Sequence, residues 1–174
     1  MPVPATAPPM PSLALLLVVV LAVCGCAGVA PPAPVAPSAP ADQRAAVPAA
    51  LAVERQWLQS WFEGTPVLIT QRDDGAVSVD VPREFCFEPG RSSVKPGLAA
   101  VLNKVAESLR RMPLARVSLL AAPDDATGTA PLALQRAGEV HKQLLSRGVP
   151  AARLGRPTAT AAAAVQLRIA AAPP

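Results

Sequence analysis

The chain has 174 residues, 51% hydrophobic and 16% charged, with 22 prolines, two tryptophans and no tyrosine. That length holds one ordinary domain and an appendage, not two large domains. The net charge of +4 lies wholly after residue 41, with acids and bases interleaved, which argues for a solvated surface and against a nucleic-acid face. One histidine and three cysteines leave little material for a catalytic centre, so neither an enzyme nor a metal or cofactor is expected.

Leu13 to Val23 is an unbroken apolar run of 11 residues. As a helix it reaches about 16 Å, roughly half a bilayer's hydrocarbon core, which fits the apolar stretch of an export signal better than a membrane span. The residues before it carry no Lys or Arg, so the terminal amine supplies the only positive charge there. The following Val23-Cys24-Gly25-Cys26-Ala27 resembles the lipobox of bacterial lipoproteins. Small Gly25 suits the position before the acylated cysteine better than branched Val23. Residues 1–25 then read as a lipoprotein signal peptide, with Cys26 lipidated and carrying palmitate-type acyl chains. The resemblance also implies a signal for the outer membrane, because Ala27 stands where an Asp favours inner-membrane retention. Cys86 is then the one thiol left, and no internal disulfide forms.

Residues 27–50 contain 10 Ala and 6 Pro, a composition that cannot bury a core. The expected boundary is a disordered tether over 26–50, able to extend on the order of 70 Å at about 3.1 Å per residue. Residues 51–64 read as an amphipathic helix in which Val53, Trp57 and Trp61 recur at helical spacing, flanked by Leu51, Leu58 and Phe62. Two uses fit it: an interfacial or partner-docking face, for which tryptophan is suited, or a helix packed on the domain that follows.

From residue 65 the pattern is that of a folded domain reaching residue 171. Val67–Thr70 and the alternating Val77, Val79 and Val81 predict a hairpin around Arg72-Asp73-Asp74-Gly75. Phe85-Cys86-Phe87 is a short apolar segment whose thiol packs as a small apolar group. A helix opens at Pro96, with Leu98, Val101, Leu102, Val105, Leu109 and Met112 as its stripe. Ala115–Ala121 reads as a buried strand, followed by a polar loop over 123–128. A second helix runs over 131–147 on Ala133, Ala137, Val140 and Leu144, stopped by Gly148 and Pro150. Arg153 is placed to anchor the turn after that helix, and Val165–Ala170 forms the last strand. His141 has no nucleophile that the sequence pairs with it. The order ββαβαβ predicts an α+β sandwich, two helices packed on a mixed sheet, preceded by a hairpin and a short helix.

The ordered set GAVSVDVPREFCFEPGRSSVKPGLAAVLNKVAESL, VSLLAAPDD and LALQRAGEVHKQLLSRGVPAARL resembles the OmpA-like domain of outer membrane protein A and of peptidoglycan-associated lipoproteins. The shared features are a strand, an F-x-F segment, a polar turn, a helix opened by Pro, and an R-A helix followed by a G-V turn. The resemblance implies non-covalent binding of peptidoglycan through the diaminopimelate of its stem peptide. In that family an aspartate in a G-H-T-D loop and an arginine at a helix start make the contact. The matching positions are Asp124 and Arg136, with Asp125 as the alternative loop aspartate. The chemistry is sound, since a guanidinium grips a carboxylate and a carboxylate pairs with an ammonium. Counting around the helix sets Arg136 on the flank of the apolar stripe, about 60° from its centre. The chain departs from the family pattern at Ala121-Ala122-Pro123, in the shorter loop from Gly128 to Arg136, at Thr129 and Ala133, and at Val165-Gln166-Leu167-Arg168.

Two functions follow. One is an outer-membrane lipoprotein, lipid-anchored on the periplasmic face, that tethers the membrane to the cell wall. The other is an accessory or assembly subunit of an envelope complex whose degenerate domain binds protein instead.

Overall fold

The computed structural model describes residue 42, residues 45–125 and residues 130–173. The signal segment, Cys26, most of the 26–50 tether, Gly128 and Thr129 lie outside the described residues. In chain order the elements are α1 (Val47–Trp61), β1 (Leu68–Gln71), β2 (Val77–Pro82), a 3-10 turn at Arg83–Phe85, α2 (Pro96–Arg111), β3 (Ala115–Pro123), α3 (Ala130–Ser146), a 3-10 turn at Ala151–Arg153, β4 (Pro157–Thr160) and β5 (Ala164–Ala171).

The five strands form one mixed sheet in the order β1-β2-β5-β3-β4. All neighbours are antiparallel except β3 and β4, which run parallel across the α3 crossover. Val77, Val79 and Val81 of β2 and Val165, Leu167 and Ile169 of β5 face inward, as their alternation with polar residues predicts. The predicted stripes of α2 and α3 are buried against them, so the expected α+β layout is the one observed. Gly148, at φ 82°, ends α3 where a residue with a Cβ would be strained, and the Val149 N–H donates back to the Leu144 carbonyl.

Three features depart from the expectations. First, α1 starts at Val47, not residue 51, so residues 47–50 belong to the helix and not to the tether. Pro48 is tolerated there because the first-turn N–H groups have no helical partner to lose. Second, the buried face of α1 is Val47, Leu51 and Leu58, whereas Val53 and Trp61 are 65% and 54% exposed. The apolar residues assigned to the flank form the seam, and the tryptophans fall at its edge. Lys104 lies 3.4 Å over the Trp61 ring and the Arg111 guanidinium 3.7 Å over Trp57. Arg111 also grips Glu54 through two bonds of 2.9 and 2.7 Å. The helix is packed on the domain.

Third, β4 was not expected. Pro157-Thr158-Ala159-Thr160 has no apolar alternation, and a proline at the first residue of an edge strand loses no ladder bond. Beside it β3 carries a bulge, since the pairing with β5 passes from Val117 to Leu119 and skips Ser118. The bulge switches the inward positions from Ala115 and Val117 to Leu120 and Ala122. Gly155 donates its N–H to the Val117 carbonyl at 2.7 Å, and a Cβ there would lie 3.0 Å from the Ser118 oxygen.

Candidate functional site

Four segments from two stretches of the chain meet at the end of β3: the 3-10 turn after β2 and the turn at residues 88–91, with Pro123 to Asp125 and α3. Arg136 joins them. Facing inward from α3, it is 0% exposed, and its guanidinium stacks 4.9 Å from the Phe87 ring. Nε donates to the Arg91 carbonyl at 2.9 Å and Nη1 to the Pro123 carbonyl at 3.0 Å. Nη2 donates to the Glu88 carbonyl at 3.3 Å and to Asp125 Oδ1 at 2.6 Å. A buried guanidinium must have its donors met, and here the protein's own backbone and Asp125 meet four of the five. The flank position read from the helix is therefore turned into the fold, with no solvent-facing surface.

Of the two aspartates expected at the site, Asp125 is the one paired with Arg136. Its Oδ2 accepts the Gly90 N–H at 2.5 Å, and its side chain remains 36% exposed. The Gly90 N–H first, and Arg136 second, hold the Asp125 carboxyl below its ordinary range. Each carboxylate oxygen has two lone pairs, so the outer side of this ionised group can still accept a donor. Asp124 uses Oδ1 to accept the Asp125 N–H at 2.7 Å, an interaction that shapes the turn.

Two residues that the sequence did not single out complete the site. Arg83, half-buried at the end of β2, donates from Nη1 to the Asp124 and Asp125 carbonyls at 2.8 and 2.5 Å. Lys95 pairs with Glu88 Oε1 at 2.9 Å and donates to the Glu84 carbonyl at 3.0 Å. The one available signal was a charged pair, Arg83-Glu84, directly after a half-buried strand. Two clefts open on either side of Arg83, of about 410 and 450 Å³. The first is floored by Phe87 and Asp125, the second by Pro123, Asp124 and the 161–163 turn.

Other singled-out residues lie elsewhere. Arg153 donates to the Ala115, Leu109 and Met112 carbonyls at 2.7, 2.9 and 2.5 Å, so it caps α2 and fixes the start of β3. Cys86 is buried, its thiol pointing at the Val81 and Pro82 carbonyls, and burial pushes its pKa up to about 12. His141 is half-buried on α3.

No family model matches the sequence. The chain is similar to Probable lipoprotein YiaD of Escherichia coli, with 29% identity over 105 residues, 59% of this chain. It spans about half of that curated relative, 48% of its length. Among solved structures, a putative MotB-like protein from Desulfovibrio vulgaris superposes with a TM-score of 0.57 at 18% identity, covering 76% of this chain and 97% of that one. The cell wall anchor of the T6SS from Pseudomonas aeruginosa gives a TM-score of 0.50 at 19% identity, covering 68% and 94% of the two chains. These likenesses carry the fold: three helices on a five-stranded mixed sheet.

Proposed function

From a chain that carries a divergent OmpA-like domain, we propose a non-catalytic protein of the cell envelope that binds peptidoglycan and, lipidated at Cys26, tethers the outer membrane to the wall from its periplasmic face. The observation that carries this reading is the Asp125–Arg136 pair, whose aspartate lines an open cleft while its arginine is buried behind it. It joins the loop and helix positions at which the family places its contact with diaminopimelate. In this chain the two residues take different parts. Asp125 is the ionised acceptor for an incoming ammonium, and Arg136 is the buried group that orients it. The likeness to a lipoprotein and to a cell wall anchor supports the same reading.

The test is co-sedimentation of the purified chain with peptidoglycan sacculi. Wild type is expected in the pellet and Asp125→Ala in the supernatant, both folded by circular dichroism. A folded wild type that stays in the supernatant refutes the reading and favours the accessory-subunit role. Incorporation of labelled palmitate, lost in Cys26→Ala, tests the anchor separately.

A further inference from the structure

With Arg136 closed off inside the fold, the site still needs a cation for any ligand that brings a carboxylate beside its ammonium. We infer that Arg83 is that cation: it binds the carboxylate of an amino-acid-like zwitterion whose ammonium pairs with Asp125. The inference rests on the peptidoglycan reading and names the residue that reads the charged end of the stem peptide.

The geometry is specific. Both Nη1 hydrogens of Arg83 are used on the Asp124 and Asp125 carbonyls, which fixes the plane of the guanidinium. Its Nε–H and Nη2 hydrogens meet no acceptor among the described residues. Those groups form the side-on edge of the fork, the edge that takes both oxygens of a carboxylate. The Arg83 backbone N–H is itself held by the Ala163 carbonyl at 3.0 Å, so the side chain starts from a fixed point. The residue lines both clefts, and no other described side chain does. Lys95, the neighbouring cation, already serves Glu88 and the Glu84 carbonyl.

Charge selects the ligand class. A plain anion approaching Arg83 meets the Asp125 carboxylate beside it, and a plain cation approaching Asp125 meets Arg83. A group that carries both charges a few ångströms apart satisfies the two together. The free α-amino acid end of diaminopimelate is such a group, whereas its amide lacks the second charge.

The experiment titrates the full chain, in mild detergent, with a soluble stem peptide ending in free diaminopimelate, and with the same peptide amidated at that carboxylate. Chemical-shift changes read the affinity, and sacculus binding is measured in parallel. Wild type is expected to prefer the acid over the amide by about 10-fold or more, as one lost bidentate charged contact implies. Arg83→Ala should lose that preference, and Arg83→Lys should regain only part of it. Arg83→Gln keeps a donor for the two carbonyls and serves where Arg83→Ala lowers the melting temperature. Sacculus binding with an undiminished acid-over-amide preference in Arg83→Ala and Arg83→Gln overturns the role of Arg83 and leaves the anchor standing. A folded wild type that binds neither sacculi nor either peptide overturns both.

Discussion

Replacing Arg136 by Met removes the guanidinium while keeping much of the side chain's length and apolar body. The Pro123 carbonyl, buried with its donor, loses a charged hydrogen bond and has no water to replace it, at a cost of about 2 kcal/mol. The Glu88 and Arg91 carbonyls are partly exposed and rehydrate, at about 0.5 kcal/mol each. Asp125 also reaches water, so its lost pair is worth about 1 kcal/mol. Burying the thioether offsets about 1 kcal/mol of this, and the net loss is about 3 kcal/mol. With a urea slope of about 1.5 kcal/mol per molar, the unfolding midpoint should fall by about 2 M. The assay is urea unfolding followed by tryptophan fluorescence, which reports α1, and by far-ultraviolet circular dichroism, which reports the whole fold; coincident curves justify a two-state treatment. A midpoint within about 0.5 M of wild type would refute the reasoning, because it would mean that Arg136 is solvated and free to grip a ligand directly.

Other outcomes follow from the same geometry. Arg153→Ala strips three carbonyls of a shared donor and should cost about 2–3 kcal/mol, lowering Tm by roughly 10 °C, with only partial recovery in Arg153→Lys. Gly155→Ala drives a methyl against two backbone oxygens of the β3 bulge and should destabilise by about 1–3 kcal/mol in the same melts. Because Asp125 titrates lower folded than unfolded, its contribution is complete above its ordinary pKa of 3.8 and is lost as pH falls through the folded value. The stability gap between wild type and Asp125→Asn should therefore be constant from about pH 5 to 8 and shrink below about pH 4, as pH-dependent urea unfolding would read. With Cys24 and Cys26 replaced by Ser, the Cys86 thiol should ignore Ellman's reagent at pH 8 in the native state and react fully in denaturant.

The sequence alone determined those elements whose pattern is strong and local. The alternating valines of β2, the stripe of α2 and the Gly148 stop of α3 each encode one buried face, and each packs as its period requires. β4 left no such trace, because an edge strand is held by its neighbour's ladder and needs no apolar face of its own. The skipped Ser118 is equally silent, since a bulge is a property of two paired strands. For α1, periodicity identified a helix but not which of two adjoining apolar faces would be covered; contact with β1, β5 and α2 decided that.

The site divides in the same way. Asp124, Asp125 and Arg136 were legible as chemistry at motif positions, and the helix count put Arg136 at the margin of its core stripe. What tertiary structure decided is that the Glu88, Arg91 and Pro123 carbonyls converge on that guanidinium and enclose it, leaving Arg83 with the open edge. A side chain's burial depends on which backbone groups arrive from elsewhere in the chain to satisfy it, and no local pattern records that.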